Sequence, residues 1–296
     1  MPKGVPKTGY RVRGPNKATL LKGVKPTGSK MVKLKEVPAV HVPYETDAQI
    51  EARLADRFDI VDAMTRMAVR GDARSLIVSG PAGVGKSYVV EGALKSCRNH
   101  TIIKGYVRPT GLFKLLWQHR KPNSVLVFDD SDEVFTDDTS LTLLKAVCDS
   151  SERRRVSYMT EGVLVDDETG ERIPKNFDFE GTIIFITNYD FDDLINRGHR
   201  LAPHFQALVS RSHYIDLAMK TARHYIVRIR QVIKAGLLKN IGLDAAGQID
   251  VIDFLEENHK ELRELSLRMA LKIGSIRRGG RSDWKKMAKV SCCRNV

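Results

Sequence analysis

The residues Gly80-Pro81-Ala82-Gly83-Val84-Gly85-Lys86-Ser87 stand between a short apolar segment, Ser75–Ser79 (SLIVS), and a helical pattern that starts at Lys86. Glycines let the backbone turn tightly and aim several N–H groups at one anion. A helix that begins at such a turn points its positive end at the same charge. The spacing GxxxxGK[ST] therefore implies a bound triphosphate, with Lys86 reaching the β- and γ-phosphates and Ser87 offering a hydroxyl to Mg²⁺. The competing reading, a glycine-rich turn without a ligand, does not account for the strand before the motif and the helix after it.

About 40 residues downstream stands Val125-Leu126-Val127-Phe128-Asp129-Asp130. A buried strand that ends in acids puts carboxylates at the carboxyl edge of a sheet, where open α/β folds bind ligands. Asp129 is expected to hold Mg²⁺ and Asp130 to orient or polarise an attacking water. Asp132 and Glu133 extend the acidic run to FDDSDE. An acidic cluster after a strand is otherwise a solvated loop; the phosphate loop upstream gives this one its meaning.

The elements that must position these groups alternate. Residues 47–69 carry apolar side chains at helical spacing and end at Gly71. Strands are expected at Ser75–Ser79, Thr101–Ile103, Val125–Phe128 and Thr182–Thr187, with a fifth at His213–Ile215. Helices are expected between them at Lys86–Ser96, Leu112–His119 and Leu141–Cys148. Such alternation implies a parallel sheet with helical crossovers. After Ala218 the strand signal stops, and Ala222–Ala235, Ile249–Leu271 and Asp283–Val290 read as helices of a smaller all-α part.

Length and composition set the outer limits. The 296 residues allow two domains, and 42% hydrophobic with 29% charged residues excludes a wholly disordered or fibrous chain. No apolar run approaches a membrane span, and MPKGVPKTGY lacks the apolar stretch of a secretory signal. Cys97, Cys148, Cys292 and Cys293 form no CxxC, so a reducing, cytoplasmic setting without a zinc site is expected. His199, His204 and His213 have no metal spacing and read as core or surface residues.

Charge is unevenly placed. Residues 1–40 carry +9 and residues 277–296 carry +6; subtracting both from the total of +13 leaves −2 for residues 41–276. The first segment, rich in Pro and Gly, reads as an extended arm that neutralises phosphates on nucleic acid, against the alternative of a solubilising tail.

Taken in order, these motifs resemble the AAA+ ATPases over about residues 45–276. Thr182–Tyr189 (TIIFITNY) is similar to the sensor 1 strand of that family, with Asn188 at the position that contacts the γ-phosphate or the water. Ala207–Leu217 (ALVSRSHYIDL) is similar to the segment that supplies an arginine finger, with Arg211 at the matching position. Leu265–Ile273 (LSLRMALKI) is similar to sensor 2, with Arg268 reaching back to the nucleotide. The combination of FDDSDEVF with FDFEGTIIFITN resembles ATPases encoded by bacteriophages, which would put the protein in a host cytoplasm.

The resemblance implies an α/β P-loop NTPase with a sheet of order 5-1-4-3-2 and a small helical lid. It divides the chain into a basic arm at 1–44, a nucleotide-binding domain at 45–217, a lid at 218–276 and a basic tail at 277–296. It also implies Mg²⁺-dependent ATP hydrolysis in a homo-oligomeric ring, with Arg211 acting on the neighbour's nucleotide. The expected client is nucleic acid, in phage DNA replication or metabolism. The alternatives are a protein-remodelling chaperone and a nucleotide-gated DNA switch with little turnover. A small-molecule kinase would share the phosphate loop but not the Asn188, Arg211 and Arg268 series.

Two departures stand out. The family usually has Asp-Glu where this chain has Asp129-Asp130, which leaves the second carboxylate about one bond further from the water and implies slower hydrolysis. The family's substrate-gripping loop is aromatic–apolar–Gly after strand 2; here Gly105-Tyr106-Val107-Arg108-Pro109 fits it poorly, and Tyr106 reads first as a partly buried packing aromatic. Residues 157–180 read as a hairpin, Val163–Val165 with Arg172–Ile173, around a turn at Asp167-Glu168-Thr169-Gly170. Its acidic tip suits a protein contact or a plain loop better than DNA.

If the arm neutralises phosphates, deleting residues 1–40 lowers the slope of log K against log[salt] for DNA binding by about 3–5, at roughly 0.7–0.9 per phosphate contact. The loss is uniform across sequences, because phosphate contacts do not read bases. Affinities of both forms at several salt concentrations check this, and an unchanged slope assigns the arm to solubility or a protein contact.

Overall fold

The computed structural model describes residues 45–294 and two short segments of the arm, Tyr10–Val12 and Ala18–Leu20. Those two segments pair antiparallel, Tyr10 opposite Leu20, within a unit spanning Met1–Tyr44. The rest of the expected arm lies outside the described residues. Glu45–Val296 form the second compact unit.

That unit is built on a parallel five-stranded sheet. Its strands are β1 (Ser75–Ser79), β2 (His100–Lys104), β3 (Val125–Asp129), β4 (Thr182–Thr187) and β5 (His213–Asp216), arranged in the order β5-β1-β4-β3-β2. This is the order the AAA+ resemblance implies, and the fold is a P-loop NTPase fold of that type.

The central strands are continuous apolar runs because both of their faces are covered. Ile77, Leu126, Phe128, Ile183 and Phe185 point to one face, and Leu76, Val78, Val125, Val127, Ile184 and Ile186 to the other. The first face is covered by α3 (Pro109–Gln118), α4 (Asp138–Val147), a short α5 (Phe191–Asn196) and α6 (Ala202–Arg211). The opposite face is covered by α1 (Asp47–Arg70) and α2 (Lys86–Leu94), through Leu54, Phe58 and Val61 on α1 and Val90 and Leu94 on α2. Helix α1 begins in a Thr46–Gln49 capping box and ends at a left-handed Gly71. Helices α5 and α6 were not expected from the sequence.

A third apolar cluster is purely helical. It joins α7 (Ala222–Lys234), α8 (Ala245–Glu257), α9 (Leu267–Arg278) and α10 (Trp284–Cys292). Two expectations are corrected here. The single helix expected over Ile249–Leu271 is two helices, α8 and α9. Asn258 closes α8, with its side chain donating to the Phe254 carbonyl, and Ser266 starts α9 by accepting from the Met269 N–H. The basic tail expected at 277–296 is not separate from the helical part: Trp284, Ala288 and Cys292 fall on one face of α10 and are buried in the helical core. Positive charge was a poor guide there, because the basic residues of α10 occupy its solvent face. Among the described residues, no helix is long and apolar enough to cross a membrane.

Trp284 is 7% exposed and packs on Phe254 with ring centroids 5.6 Å apart. Trp284→Ala is expected to lower stability by about 3–5 kcal/mol, read by denaturant unfolding. A solvated tail would give a change within about 0.5 kcal/mol.

Candidate functional site

The loop from Gly80 to Ser87 leaves the carboxyl end of β1 and runs into α2. Gly83 (φ 71°) and Gly85 (φ 101°) hold left-handed backbone, which a side chain would strain. Gly85 is the N-cap of α2 and supplies no side-chain acceptor, so the first N–H groups of the helix stay available to an anion.

Lys86 is 5% exposed, and its Nζ donates to the carbonyls of Gly80 (2.6 Å) and Pro81 (2.9 Å) and to Oδ1 of Asn188 (2.9 Å). Burial pushes its pKa down to about 8, against the opposing pull of Asp130, Asp132 and Asp129. Ser87 Oγ donates to Oδ1 of the buried Asp129 at 2.8 Å. A hydroxyl and a carboxylate side by side are hard oxygen donors that suit Mg²⁺, which takes one or two protein oxygens and completes its shell with phosphate and water. The other oxygen of Asp129 faces Lys104 at 3.1 Å, the last residue of β2, which also binds Glu91.

Asp130 sits just past β3 with φ 53°. Its N–H is held by the Ile186 carbonyl, and its carboxylate accepts from Asn188 Nδ2 at 2.9 Å and faces Arg268 Nη2 at 3.8 Å. Asn188, immediately after β4, therefore links Lys86 to Asp130. Asp132 fixes Asn188 in turn, by accepting from Thr187 Oγ1 (2.5 Å) and from the Asn188 N–H (3.3 Å). Burial raises the pKa of Asp132, and those two hydrogen bonds oppose the rise.

The helical cluster closes over this edge. The Leu267 N–H donates to the Gly83 carbonyl at 2.8 Å, so the first turn of α9 rests on the phosphate loop. The turn between α8 and α9 thus brings Arg268 to Asp130. A cleft of about 540 Å³ runs from Lys86, Ser87, Asp130, Asn188 and Arg268 to an apolar end at Ala55, Phe58, Val232 and Leu271. Arg228 of α7 lies in it, 9% exposed, with its guanidinium 3.4 Å over the Phe58 ring.

Seven of the residues singled out in the sequence, Gly85, Lys86, Ser87, Asp129, Asp130, Asn188 and Arg268, thus meet at one edge. Arg211 does not. Its backbone carbonyl accepts from Ser75 Oγ, at the start of β1, and its side chain pairs with Asp149 at 3.3 Å. That is the amino edge of the sheet, a strand length of roughly 13 Å from the phosphate loop and beyond an arginine's reach. Tyr106, expected to pack, is 70% exposed. The hairpin forms from Leu164–Val165 and Arg172–Ile173, and its tip residue Asp167 pairs with Lys114 at 2.7 Å. Lys104, Asp132 and Arg228 were not assigned site roles from the sequence. Asp132 had a visible signal in the FDDSDE run, whereas the other two depend on strand register and helix facing.

No protein-family model matches the chain. A protein of Enterobacteria phage T4, described as an uncharacterized 36.7 kDa protein in the nrdC-mobD intergenic region, is 37% identical over 250 residues, covering 82% of this chain and 76% of that protein. Among solved structures, RuvB from Thermotoga maritima aligns with 13% identity over 83% of this chain and 72% of that one, TM-score 0.45. Domain III of the Thermotoga maritima replication initiation protein DnaA aligns with 14% identity over 80% of this chain and 89% of that one, TM-score 0.44.

The contact between the helical cluster and the loop makes Gly83 a sensitive position. A Cβ there would stand 2.6 Å from Ser266 Cβ, on left-handed backbone. Gly83→Ala is expected to weaken nucleotide binding and to lower the melting temperature. Adding Ser266→Gly should recover the part due to the clash while leaving the backbone strain of about 1 kcal/mol. Ser266 also caps α9, so Ser266→Gly alone is the reference in a thermal melt; a double variant that recovers nothing once that cost is subtracted would show that residue 266 does not press on the loop.

Proposed function

We propose, for a chain that belongs to the family of the phage T4 36.7 kDa protein, that it is an ATP-hydrolysing AAA+ protein acting as an oligomer in a nucleic-acid transaction. The observation that carries this is the convergence of Lys86, Ser87, Asp129, Asp130, Asn188 and Arg268 on one cleft at the carboxyl edge of the sheet.

In this reading Lys86 exchanges its carbonyl partners for the β- and γ-phosphates. Ser87 and Asp129 would hold Mg²⁺, which would supply positive charge beside the phosphates. Asp130, oriented by Asn188 and Arg268, accepts a hydrogen bond from the attacking water. Phosphoryl transfer also needs positive charge on the γ-phosphate, and an arginine finger is worth 10³–10⁵ in rate. The place of Arg211 on the opposite edge supports its use by a neighbouring subunit, hence a ring or short helical array.

Nucleic acid as the client is supported by charge alone: +9 over residues 1–40 and +6 over 277–296. The 70% exposure of Tyr106 in the loop after β2 favours the competing reading, a protein-remodelling machine that grips its client there.

Hydrolysis measured alone, with single-stranded DNA, with duplex DNA and with unfolded protein separates the readings by which addition stimulates it. Turnover that stays minimal throughout, with tight ATP binding, supports a switch. Lys86→Ala is expected to lose ATP binding and turnover, and Asp129→Ala to keep some binding without Mg²⁺-dependent turnover. Arg211→Ala should bind ATP normally and lose about a thousandfold or more in rate. Mixing it with Lys86→Ala should restore part of the activity, since one subunit supplies the finger and the other an intact pocket. A mixture as inactive as its components, under conditions where subunits exchange, rejects the role in trans.

A further inference from the structure

Arg228 is a buried cation without a counter-charge. It is 9% exposed, yet no carboxylate among the described residues forms an ion pair with it, and Asp59 acts on it only from a distance. Nε donates to the Val84 carbonyl at 3.4 Å, Nη1 donates to Gln231 Oε1 at 2.7 Å, and one face of the guanidinium lies on Phe58. Nη2 has no hydrogen-bond partner among the described residues. It stands 3.7 Å from the point a Cβ on Gly85 would occupy, at the rim of the phosphate loop and inside the cleft.

Burying a charge without a partner is costly. The strain shows in the pKa of Arg228, pushed down to about 10 by burial. Packing alone does not require the charge, since a methionine would cover Phe58 without that penalty. The remaining open direction of the guanidinium faces the loop that the motif marks for phosphate.

We propose that Arg228 is a nucleotide-binding residue of the lid: its free Nη2 edge pairs with a phosphate oxygen of the nucleotide held by Gly80–Ser87, which supplies the missing counter-charge. This rests on the nucleotide reading above and adds to it a second lid cation besides Arg268, contributed by a different helix. Because Arg228 touches α1 and the loop at once, nucleotide binding would tie α7 to both.

The test compares the wild-type chain with Arg228→Met and Arg228→Lys, using ATP and inorganic tripolyphosphate as probes. Calorimetry gives affinities, with tripolyphosphate read at millimolar concentration as a competitor of ATP, and thermal melts are run with and without ATP. Without nucleotide, Arg228→Met should melt at or above the wild-type temperature, because an uncompensated buried charge is gone. Its affinity for both probes should fall roughly ten- to hundredfold, the range of a charge-assisted hydrogen bond, with Arg228→Lys recovering part. A lower melting temperature with unchanged affinities would make Arg228 a packing residue and overturn the proposal. So would a loss confined to ATP, which would place the contact on the nucleoside, ribose or base. Lys86→Ala is the control: if it binds ATP as tightly as wild type, the phosphate-loop reading fails as a whole. If Lys86→Ala loses ATP and Arg228→Met does not, only the assignment of Arg228 fails.

Discussion

A lysine ammonium has to be kept inside protein at the start of α2, and much of the carboxyl edge of the sheet is arranged around that requirement. Lys86 has two carbonyls of its own loop and one side-chain oxygen to bind. That oxygen belongs to Asn188, which is held by Asp130 from one side and by Asp132 from the other. The acids can stand so close together because the cation lies among them, and the cation can stay buried because the acids are there. Such a cluster is stable when every member is partnered and unfavourable when one is not. Negative charge brought to the loop would act on every member of this cluster at once.

The helical cluster enters the same balance through backbone as well as side chains. The break between α8 and α9 lets the start of α9 meet the loop, with the Leu267 N–H on the Gly83 carbonyl and Arg268 over Asp130. A continuous helix over Ile249–Leu271 would have carried Arg268 along its own axis. The left-handed backbone of Asp130 fits the same picture. Aspartate tolerates that conformation better than glutamate, so Asp130 in place of the family's usual glutamate has a local conformational reason.

The layered core and the phosphate loop could be read from residue order, because strand-sized apolar runs and the GxxxxGK[ST] spacing are local. The sheet order was implied by the resemblance and by no pattern in the strands themselves. The α8–α9 break was harder to see: apolar spacing continues across it, and the stop depends on how the Asn258 and Ser266 side chains bond to nearby backbone. The basic end misled because charge and burial occupy opposite faces of α10. Arg228 was invisible for a related reason. Arg228, Gln231, Val232 and Ala235 fall on one face of α7, but only the packed structure shows that this face looks into the cleft. Lys104 needed the pairing of β2 with β3, which sets it opposite Asp129.

In the signature GxxxxGK[ST], position 83 counts as a place where any residue is accepted. Here the fit of Ser266 against Gly83 removes that freedom. The two positions, far apart in the chain, are sterically one: a side chain at 83 requires the start of α9 to move or residue 266 to lose its own Cβ. The open position of the motif is thus closed by a residue that lies outside the motif.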